Sequence, residues 1–317
     1  VDQSELAFRR LCRRYGSELC YTPMYNSKMF ATQSNYRQSN FDPHPDDRPL
    51  FVQFCGNDPN LLLTSAKYVE KHCDAIDLNL GCPQGIARRG FYGAFLLEEW
   101  DLLRCIVSTL SRNLSIPVTC KVRLLDSLED TINMCKMLVA AGARIITVHG
   151  RTKEQKGRLT ASCDWDAIRQ IKKALPVPVF SNGGIANLED VHRCLQETGC
   201  DGVMSSEGVL QHPGLFSDNL SSVTGKASSQ DDIVAEYLAL VKQSSPQSRG
   251  VRRLSCLRGH MFKFLFTALA VRVDLRAQLT KARTLEDMKE VAEAVRKARQ
   301  ANPENFDEEK TWYRRHT

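Results

Sequence analysis

The sequence predicts an α/β protein of the (β/α)8 barrel class, followed by a small all-helical domain. Two observations predict this class. Short apolar runs alternate with amphipathic stretches through the first two thirds of the 317 residues, and helical patterns dominate the last third. The apolar runs are nearly continuous, which is typical of parallel strands covered on both faces. A doubly wound parallel sheet is the alternative, because the sequence does not show whether the strand order reverses.

The first two thirds contain seven predicted strands and six predicted helices. The strands are the mostly apolar runs at 19–24, 49–55, 75–80, 117–122, 143–149, 177–181 and 201–204. The helices are the amphipathic stretches at 6–15, 61–71, 91–110, 131–141, 165–174 and 188–195. The chain opens on a helix, so we expect one further strand upstream, which completes the eight strands of a barrel.

The domain boundary is predicted at a segment rich in Ser, Thr and Gly. This linker covers 221–232 and separates a barrel at 1–220 from a helical domain at 233–317. Helices are predicted at 233–242, 250–271 and 285–299, and the polar tail after Ala301 is expected to fray. Residues 249–299 hold thirteen basic and five acidic side chains, a net +8 that exceeds the +6 of the whole chain. This charge favours an anionic partner.

Composition excludes several classes of protein. The twelve cysteines include no C-x-x-C pair and predict free thiols in a reducing intracellular compartment, the cytoplasm or nucleus. The seven histidines lack metal-ligand spacing, so we expect no metal. No apolar run is long enough to cross a membrane, and the N-terminus has no signal-peptide pattern. The chain lacks an initiator Met, so we expect it to begin inside a longer protein.

Unusual polar residues follow successive predicted strands at their C-terminal ends. In a barrel these ends meet at one face, where active sites lie. The clustering at five successive strand exits therefore predicts a single site. Its candidate residues are Gln53, Asn79, Cys82, Lys121, Arg123, His149, Arg151, Asn182, Gly183, Gly184, Ser205, Ser206 and Glu207.

Several segments together resemble one enzyme family. DLNLGCPQ, RRGFYGAFL, CKVR, TVHGRTKEQKG, FSNGGI and GVMSSEGVLQHPGLF resemble the tRNA-dihydrouridine synthases, and the resemblance covers 1–216. The branch that modifies uridines 16 and 17 of the tRNA D-loop is the most similar. The resemblance implies an FMN-binding TIM barrel and a basic helical tRNA-binding domain. It also implies reduction of the uracil C5–C6 bond with NADPH or NADH as the reductant. We expect a monomer, although the sequence does not determine the oligomeric state.

The resemblance also assigns roles at the flavin. Cys82 matches the cysteine that gives a proton to C5, while hydride from reduced FMN reaches C6. An ordinary thiol is mostly protonated at neutral pH and therefore suits an acid. Lys121 matches the lysine at the flavin N1–C2 edge, and Gln53 would bond the flavin's pyrimidine edge. His149 is a candidate contact of flavin or phosphate, with a merely hydrogen-bonded histidine as the alternative.

Phosphate and substrate contacts are implied in the same way. Backbone N–H groups of Asn182, Gly183, Gly184 and Ser206 are expected to hold the FMN phosphate. Glu207 stands where the family usually has arginine, so it is expected to point away and contribute backbone only. Candidate substrate contacts are Asn79, Arg88, Arg123 and Arg151. Support of neighbouring residues, or for Arg88 a solvated loop, remains the alternative.

Two other functions remain open. An FMN-dependent reductase of a free pyrimidine or enone would explain Cys82 and Lys121 but leave the basic helices without a role. A non-catalytic RNA-binding barrel would leave the set Cys82, Lys121 and His149 unexplained. Relatives also carry an Ala-Pro-Met turn under the flavin before the position of Val1, and many carry lysine at Gly85-Ile86. We therefore expect part of the FMN shelf to lie outside this sequence.

Overall fold

A computed structural model of the chain describes residues 3–217, 229–243 and 251–306. Residues 218–228, most of the predicted linker, lie outside this range, as does the end of the polar tail at 307–317. The predicted domain boundary stays a prediction. Within the described ranges, no helix is both long and apolar enough to span a membrane.

The described residues form one sheet of parallel strands. The strands are β1 Cys20–Tyr21, β2 Tyr25–Asn26, β3 Leu50–Cys55, β4 Ala75–Leu80, β5 Val118–Leu124, β6 Ala143–Thr152, β7 Val179–Asn182 and β8 Gly202–Met204. From β3 to β8 each strand pairs with the next in chain order, and both β1 and β2 pair with β3. Strand order never reverses, which excludes the doubly wound alternative and confirms the barrel class. Among these strands, β8 and β1 are not paired with each other.

The predicted strand at 19–24 is wrong in detail, because two short strands replace it. Proline has no backbone N–H, so Pro23 contributes no ladder donor. At the same point the hydroxyl oxygen of Thr22 accepts the N–H of Gln53 at 3.0 Å. A side chain thus replaces a backbone partner between β1 and β2.

Helices follow the strands and cover the outside of the sheet. They are α1 Leu6–Arg14, α2 Ser27–Thr32, α3 Ser34–Asn40, α4 Pro59–Val69, α5 Gly85–Gly90, α6 Trp100–Asn113, α7 Leu128–Ala140, α8 Trp165–Ala174, α9 Leu188–Thr198 and α10 Glu207–Gln211. Side-chain N-caps fix where α4, α7, α8 and α9 begin. Each cap accepts N–H groups that have no partner inside the helix.

The helix predicted at 91–110 is wrong over its first nine residues. Phe91 ends α5 in the left-handed region with φ +50°, and α6 begins only at Trp100. Gly93 has φ +67°, and a Cβ there would lie 2.7 Å from the backbone oxygen of Cys82. The segment is therefore shaped by its contact with the Cys82 loop rather than by helical periodicity.

Strand register places the predicted site residues side by side. Asn79 of β4 pairs with Lys121 of β5, and Arg123 of β5 pairs with His149 of β6, which pairs with Asn182 of β7. Side chains alternate between the two faces of a strand, so these residues point to the same face as their register partners. They form the upper layers of the barrel interior.

The remaining described residues form a helical region, with α11 Gln230–Gln243, α12 Val251–Phe264, α13 Phe266–Val271, α14 Val273–Lys281 and α15 Leu285–Ala301. The predicted helix at 250–271 is split at Leu265, and α14 was not predicted. Helix α1 packs into the core of this region, with the Phe8 ring 4.4 Å from the His260 ring.

A buried polar contact joins the N-terminal segment to these helices. The carboxylate of Glu5 bonds His260 Nε2 at 2.9 Å, the Tyr237 hydroxyl at 2.7 Å and the Cys256 thiol at 3.3 Å. Burial alone would raise the pKa of Glu5, but the interaction with His260 and the hydrogen bonds outweigh it and lower the pKa to about 2. Glu5, Cys256 and His260 are close enough to hold a metal ion together. The expected absence of a metal stays a prediction.

Candidate active site

The polar strand ends surround a cavity of about 500 Å³ at the C-terminal end of the sheet, which continues into a second space of about 480 Å³. Such volumes are typical of sites for cofactors and small ligands. Predicted residues line one or both spaces: Gln53, Asn79, Cys82, Lys121, Arg123, His149, Arg151, Asn182, Gly183, Ser206 and Glu207. Of the fourteen residues predicted for the site, twelve line these spaces, Ser205 included; Gly184 lies beside Gly183, and Arg88 lines neither space.

Cys82 lies in a loop that is fixed from both sides. The side-chain oxygen of Asn79 accepts the N–H groups of Gly81 at 3.1 Å and Cys82 at 2.9 Å. The carbonyl of Cys82 accepts the N–H of Ala94 at 3.1 Å. The residue is only 6% exposed, yet it lines the cavity. Its backbone is thus held while its side chain meets the space where a ligand would bind.

Asp77 was missed by sequence reasoning, although it is fully buried beneath these residues. Its carboxylate accepts the Gln53 amide at 2.8 Å and the Thr119 hydroxyl at 2.6 Å. Burial raises the pKa of Asp77 to about 6, against the lowering effect of these bonds and of Lys121. The one available signal was an acidic residue within an otherwise apolar strand run.

Lys121 places a cation on the wall of the cavity. Burial, and then the charge of Arg123, lower its pKa to about 8, while Asp77 opposes the shift. No carboxylate lies within ion-pair distance of its ammonium in the described part of the chain. The ammonium is therefore available to interact with an electron-rich edge of a ligand.

Two buried arginines hold the loops around the cavity through hydrogen bonds to backbone carbonyls. Arg123 donates to the carbonyls of Gly81 at 2.8 Å and Thr152 at 2.7 Å, and Arg151 donates to Ala161 at 2.6 Å. The guanidinium of Arg151 lies 3.1 Å from His149 Nε2. A guanidinium only donates, so Nε2 accepts and the neutral ring carries its proton on Nδ1. Burial and the three neighbouring cations lower the pKa of His149 far below its usual range.

The turn after β7 contains two consecutive glycines with positive φ. Gly183 and Gly184 have φ of +108° and +77°. A Cβ on Gly183 would lie 2.9 Å from the Cys163 sulfur and 3.0 Å from His149. Asn182 donates to the carbonyl of Met204 at 2.9 Å, which ties this turn to β8. The positive φ values and this close packing therefore require glycine at the turn.

A comparison with protein-family models matches residues 1–306 to the dihydrouridine synthase (Dus) family. The chain belongs to this family. It is 47% identical to a mouse protein named tRNA-dihydrouridine(16/17) synthase [NAD(P)(+)]-like, over 93% of this chain and 60% of that protein. It is also 47% identical to the Saccharomyces cerevisiae tRNA-dihydrouridine(16/17) synthase [NAD(P)(+)], over 88% of this chain and 67% of that protein. The chain thus spans about three fifths of the mouse relative's length.

Solved structures support the fold of this Dus chain. A 2-naphthoyl-CoA reductase in complex with 2-naphthoyl-CoA aligns with a TM-score of 0.53 and 10% identity, over 68% of this chain and 46% of that one. At this identity the likeness concerns the fold alone. It agrees with the parallel barrel-type sheet described above.

Three further residues, Arg88, Lys156 and Glu207, lie in or near the loops around the Dus site. Arg88 is exposed on α5 and does not line the cavity, so its predicted substrate contact stays a prediction. Lys156, which sequence reasoning missed, donates to the carbonyl of Pro83 at 2.5 Å and ties the loop after β6 to the Cys82 loop. Glu207 lies within electrostatic reach of Lys263 on α12.

Proposed function

We propose that this Dus chain is an FMN-dependent tRNA-dihydrouridine synthase that reduces uridines 16 and 17 of the tRNA D-loop. One observation carries the proposal: Cys82, Lys121, Gln53 and Asn79 line one cavity, with the Cys82 backbone held from both sides. A thiol and an unpaired cation on one space suit a reaction in which a ring accepts hydride and proton. The names of the relatives favour tRNA positions 16 and 17.

The residues present fit FMN. The ammonium of Lys121 forms no ion pair in the described ranges and suits the electron-rich N1–C2 edge of a flavin. Gly183 and Gly184 both have positive φ, and Gly183 lines the second space, so backbone N–H groups of this turn are the candidates to hold the FMN phosphate. Gln53 would bond the pyrimidine edge, and the proton on Nδ1 gives His149 a donor. When bound, FMN supplies the hydride for uracil C6, with NADPH or NADH as its reductant.

The chain's own residues then perform the proton chemistry. Cys82 gives the thiol proton to C5 of the uracil, the C5–C6 double bond becomes a single bond, and the thiolate takes a proton back from water. Asn79 holds the backbone of Cys82 in place for this transfer. Arg123 and Arg151, which bond backbone carbonyls, support the loops.

The substrate must enter as an extruded nucleotide. The site lies among the strand ends, so a base stacked inside a folded RNA would not reach it. Recognition of a folded RNA then depends on phosphate contacts and exposed loops. Exposed basic side chains on α14 and α15 supply the cations for such contacts.

The proposal is tested on the purified chain with unmodified tRNA transcripts. We expect a flavin absorbance spectrum, nicotinamide-dependent reduction, and dihydrouridine mapped to positions 16 and 17. Reduction of free uridine or an enone at a higher kcat/KM than tRNA would favour the reductase alternative. A chain that binds tRNA but never binds flavin would favour the non-catalytic alternative and overturn the proposal.

A further inference from the structure

We infer that Asp77 is a positioning residue that sets the orientation of the Gln53 and Asn79 amides and, through them, holds the backbone of Cys82. The inference rests on the proposed function, because it gives Asp77 a part in that reaction. The three side chains form one line of hydrogen bonds, hereafter the amide chain. Asp77 accepts from Gln53 at 2.8 Å, Gln53 accepts from Asn79 at 2.9 Å, and Asn79 accepts from the Cys82 N–H at 2.9 Å.

The two ends of the amide chain determine its direction. At one end an ionised carboxylate only accepts hydrogen bonds, so Gln53 must present its NH2 group to Asp77. At the other end backbone N–H groups only donate, so Asn79 must present its oxygen to Gly81 and Cys82. The Gln53 oxygen then faces the Asn79 NH2 group. Only one orientation of both amides satisfies every bond.

Burial of these side chains restricts both amides to this one orientation. Asp77 is fully buried, and Gln53 and Asn79 are 8% and 9% exposed. A reversed amide would bring two donors or two acceptors together where water does not compensate, which leaves buried polar groups without a hydrogen bond. The hydroxyl of Thr119 holds the second carboxylate oxygen at 2.6 Å and so orients Asp77 itself.

Substitutions at Asp77 separate an acceptor role from a charge role. Asp77→Leu removes the acceptor and frees Gln53 to turn. Asp77→Asn keeps one oxygen for Gln53, because the Thr119 hydroxyl is able to accept the new NH2 group. We expect turnover per bound flavin on tRNA to fall about 30- to 100-fold in Asp77→Leu and less than about fivefold in Asp77→Asn. Thr147→Val is the matched control, since Thr147 is a buried strand threonine outside the amide chain.

A second readout does not need the reaction. The rate at which a small alkylating reagent modifies Cys82, measured by peptide mass spectrometry, should change at least threefold in Asp77→Leu. The exposed Cys105 of the same protein serves as the internal control. Should Asp77→Leu fail to fold, Thr119→Val is the second variant, with an expected three- to tenfold loss of turnover.

Each outcome decides the inference. Wild-type turnover and alkylation in folded Asp77→Leu, or in Thr119→Val if the former does not fold, would overturn it. Equal losses in Asp77→Asn and Asp77→Leu would also overturn it, because charge and not hydrogen-bond acceptance would then matter. If the wild-type chain reduces no uridine, the proposed function fails, while the alkylation rates still decide the role of Asp77.

Discussion

At the scale of single residues, we expect Lys121 to make FMN binding depend on pH. Burial and then Arg123 hold its pKa near 8 in the free protein. An electron-rich flavin edge favours the charged form, so above pH 8 flavin binding must take up a proton. We expect FMN affinity, measured by fluorescence titration, to fall up to about tenfold between pH 8 and 9.

Lys121→Met should bind FMN more weakly at pH 7 and remove this dependence. The exposed Lys136→Met should behave like the wild type. An unchanged pH dependence in Lys121→Met would assign the effect to another group.

The raised pKa of Asp77 predicts that this carboxyl group makes the fold less stable as pH rises from 4 to 6. Burial raises its pKa from 3.8 to about 6 in the folded state, so the folded chain binds more protons than the unfolded chain between these values. The free energy of unfolding therefore falls as pH rises from 4 to 6, by about 3 kcal/mol from this group. Burial causes the shift, and hydrogen bonds from Thr119 and Gln53 and the charge of Lys121 reduce it.

Asp77→Asn should remove this fall. Urea unfolding of both proteins at pH 4 to 7 measures it. Parallel curves for wild type and variant across this range would contradict the assignment.

At this scale, residue type and position made part of the site predictable. Cys82 follows the end of β4 and Lys121 lies in the second half of β5, and the apolar runs in the local sequence indicate both positions. Asp77 escaped prediction because its partners lie on other strands, 24 and 42 residues away. The bonding of Arg123 to backbone carbonyls was equally invisible, since no side-chain pattern records it.

At the scale of elements, α14 and the turn before α15 carry the best candidate contacts for RNA phosphates. Arg276, Lys281 and Arg283 are exposed and form no ion pair within the described ranges. By contrast, Lys289 and Lys297 each lie near a glutamate of their own helix. The net charge of the region therefore overstates the number of cations available to a partner.

Replacing Arg276, Lys281 and Arg283 by alanine should weaken tRNA binding about 10- to 30-fold at moderate salt. The slope of log affinity against log salt should decrease by about two, because fewer counterions are released. The double change Lys289→Ala and Lys297→Ala is the control. An equal loss of tRNA affinity in both variants would show that Arg276, Lys281 and Arg283 contribute no more to tRNA binding than the two control lysines.

Strand positions were the most predictable elements, because continuous apolar runs mark buried parallel strands. The prediction at 75–80 is confirmed without a shift as Ala75–Leu80. The start of α6 was not predictable, since Gly93 takes its conformation from contact with Cys82. Helix α14 was missed because only Leu275 and Leu279 of its nine residues are buried.

At the scale of the whole molecule, the N-terminal segment joins the sheet to the helical region. Helix α1 lies in the same apolar core as α11–α15. Deleting the helical region would therefore uncover Phe8, Leu11 and Tyr15, so point changes are the cleaner test of its function.

Glu5→Gln should lower the free energy of unfolding by about 3 kcal/mol, because it removes the charge that His260, Tyr237 and Cys256 share. The lowered pKa of Glu5 also predicts that wild-type stability falls as pH drops from about 4.5 to 2. Urea unfolding measures both effects. Glu236→Gln, which loses a more exposed contact with Arg14, is the control and should change little.

The central claim is that Cys82 gives the proton to a uridine of tRNA, and one measurement tests it most directly. The flavin of each purified protein is reduced, mixed with unmodified tRNA, and its reoxidation followed in a single turnover. We expect Cys82→Ala to keep its flavin and to react at least 100-fold more slowly, whereas the exposed Cys105→Ala reacts at the wild-type rate. Reoxidation of Cys82→Ala at the wild-type rate, with dihydrouridine formed, would contradict the account.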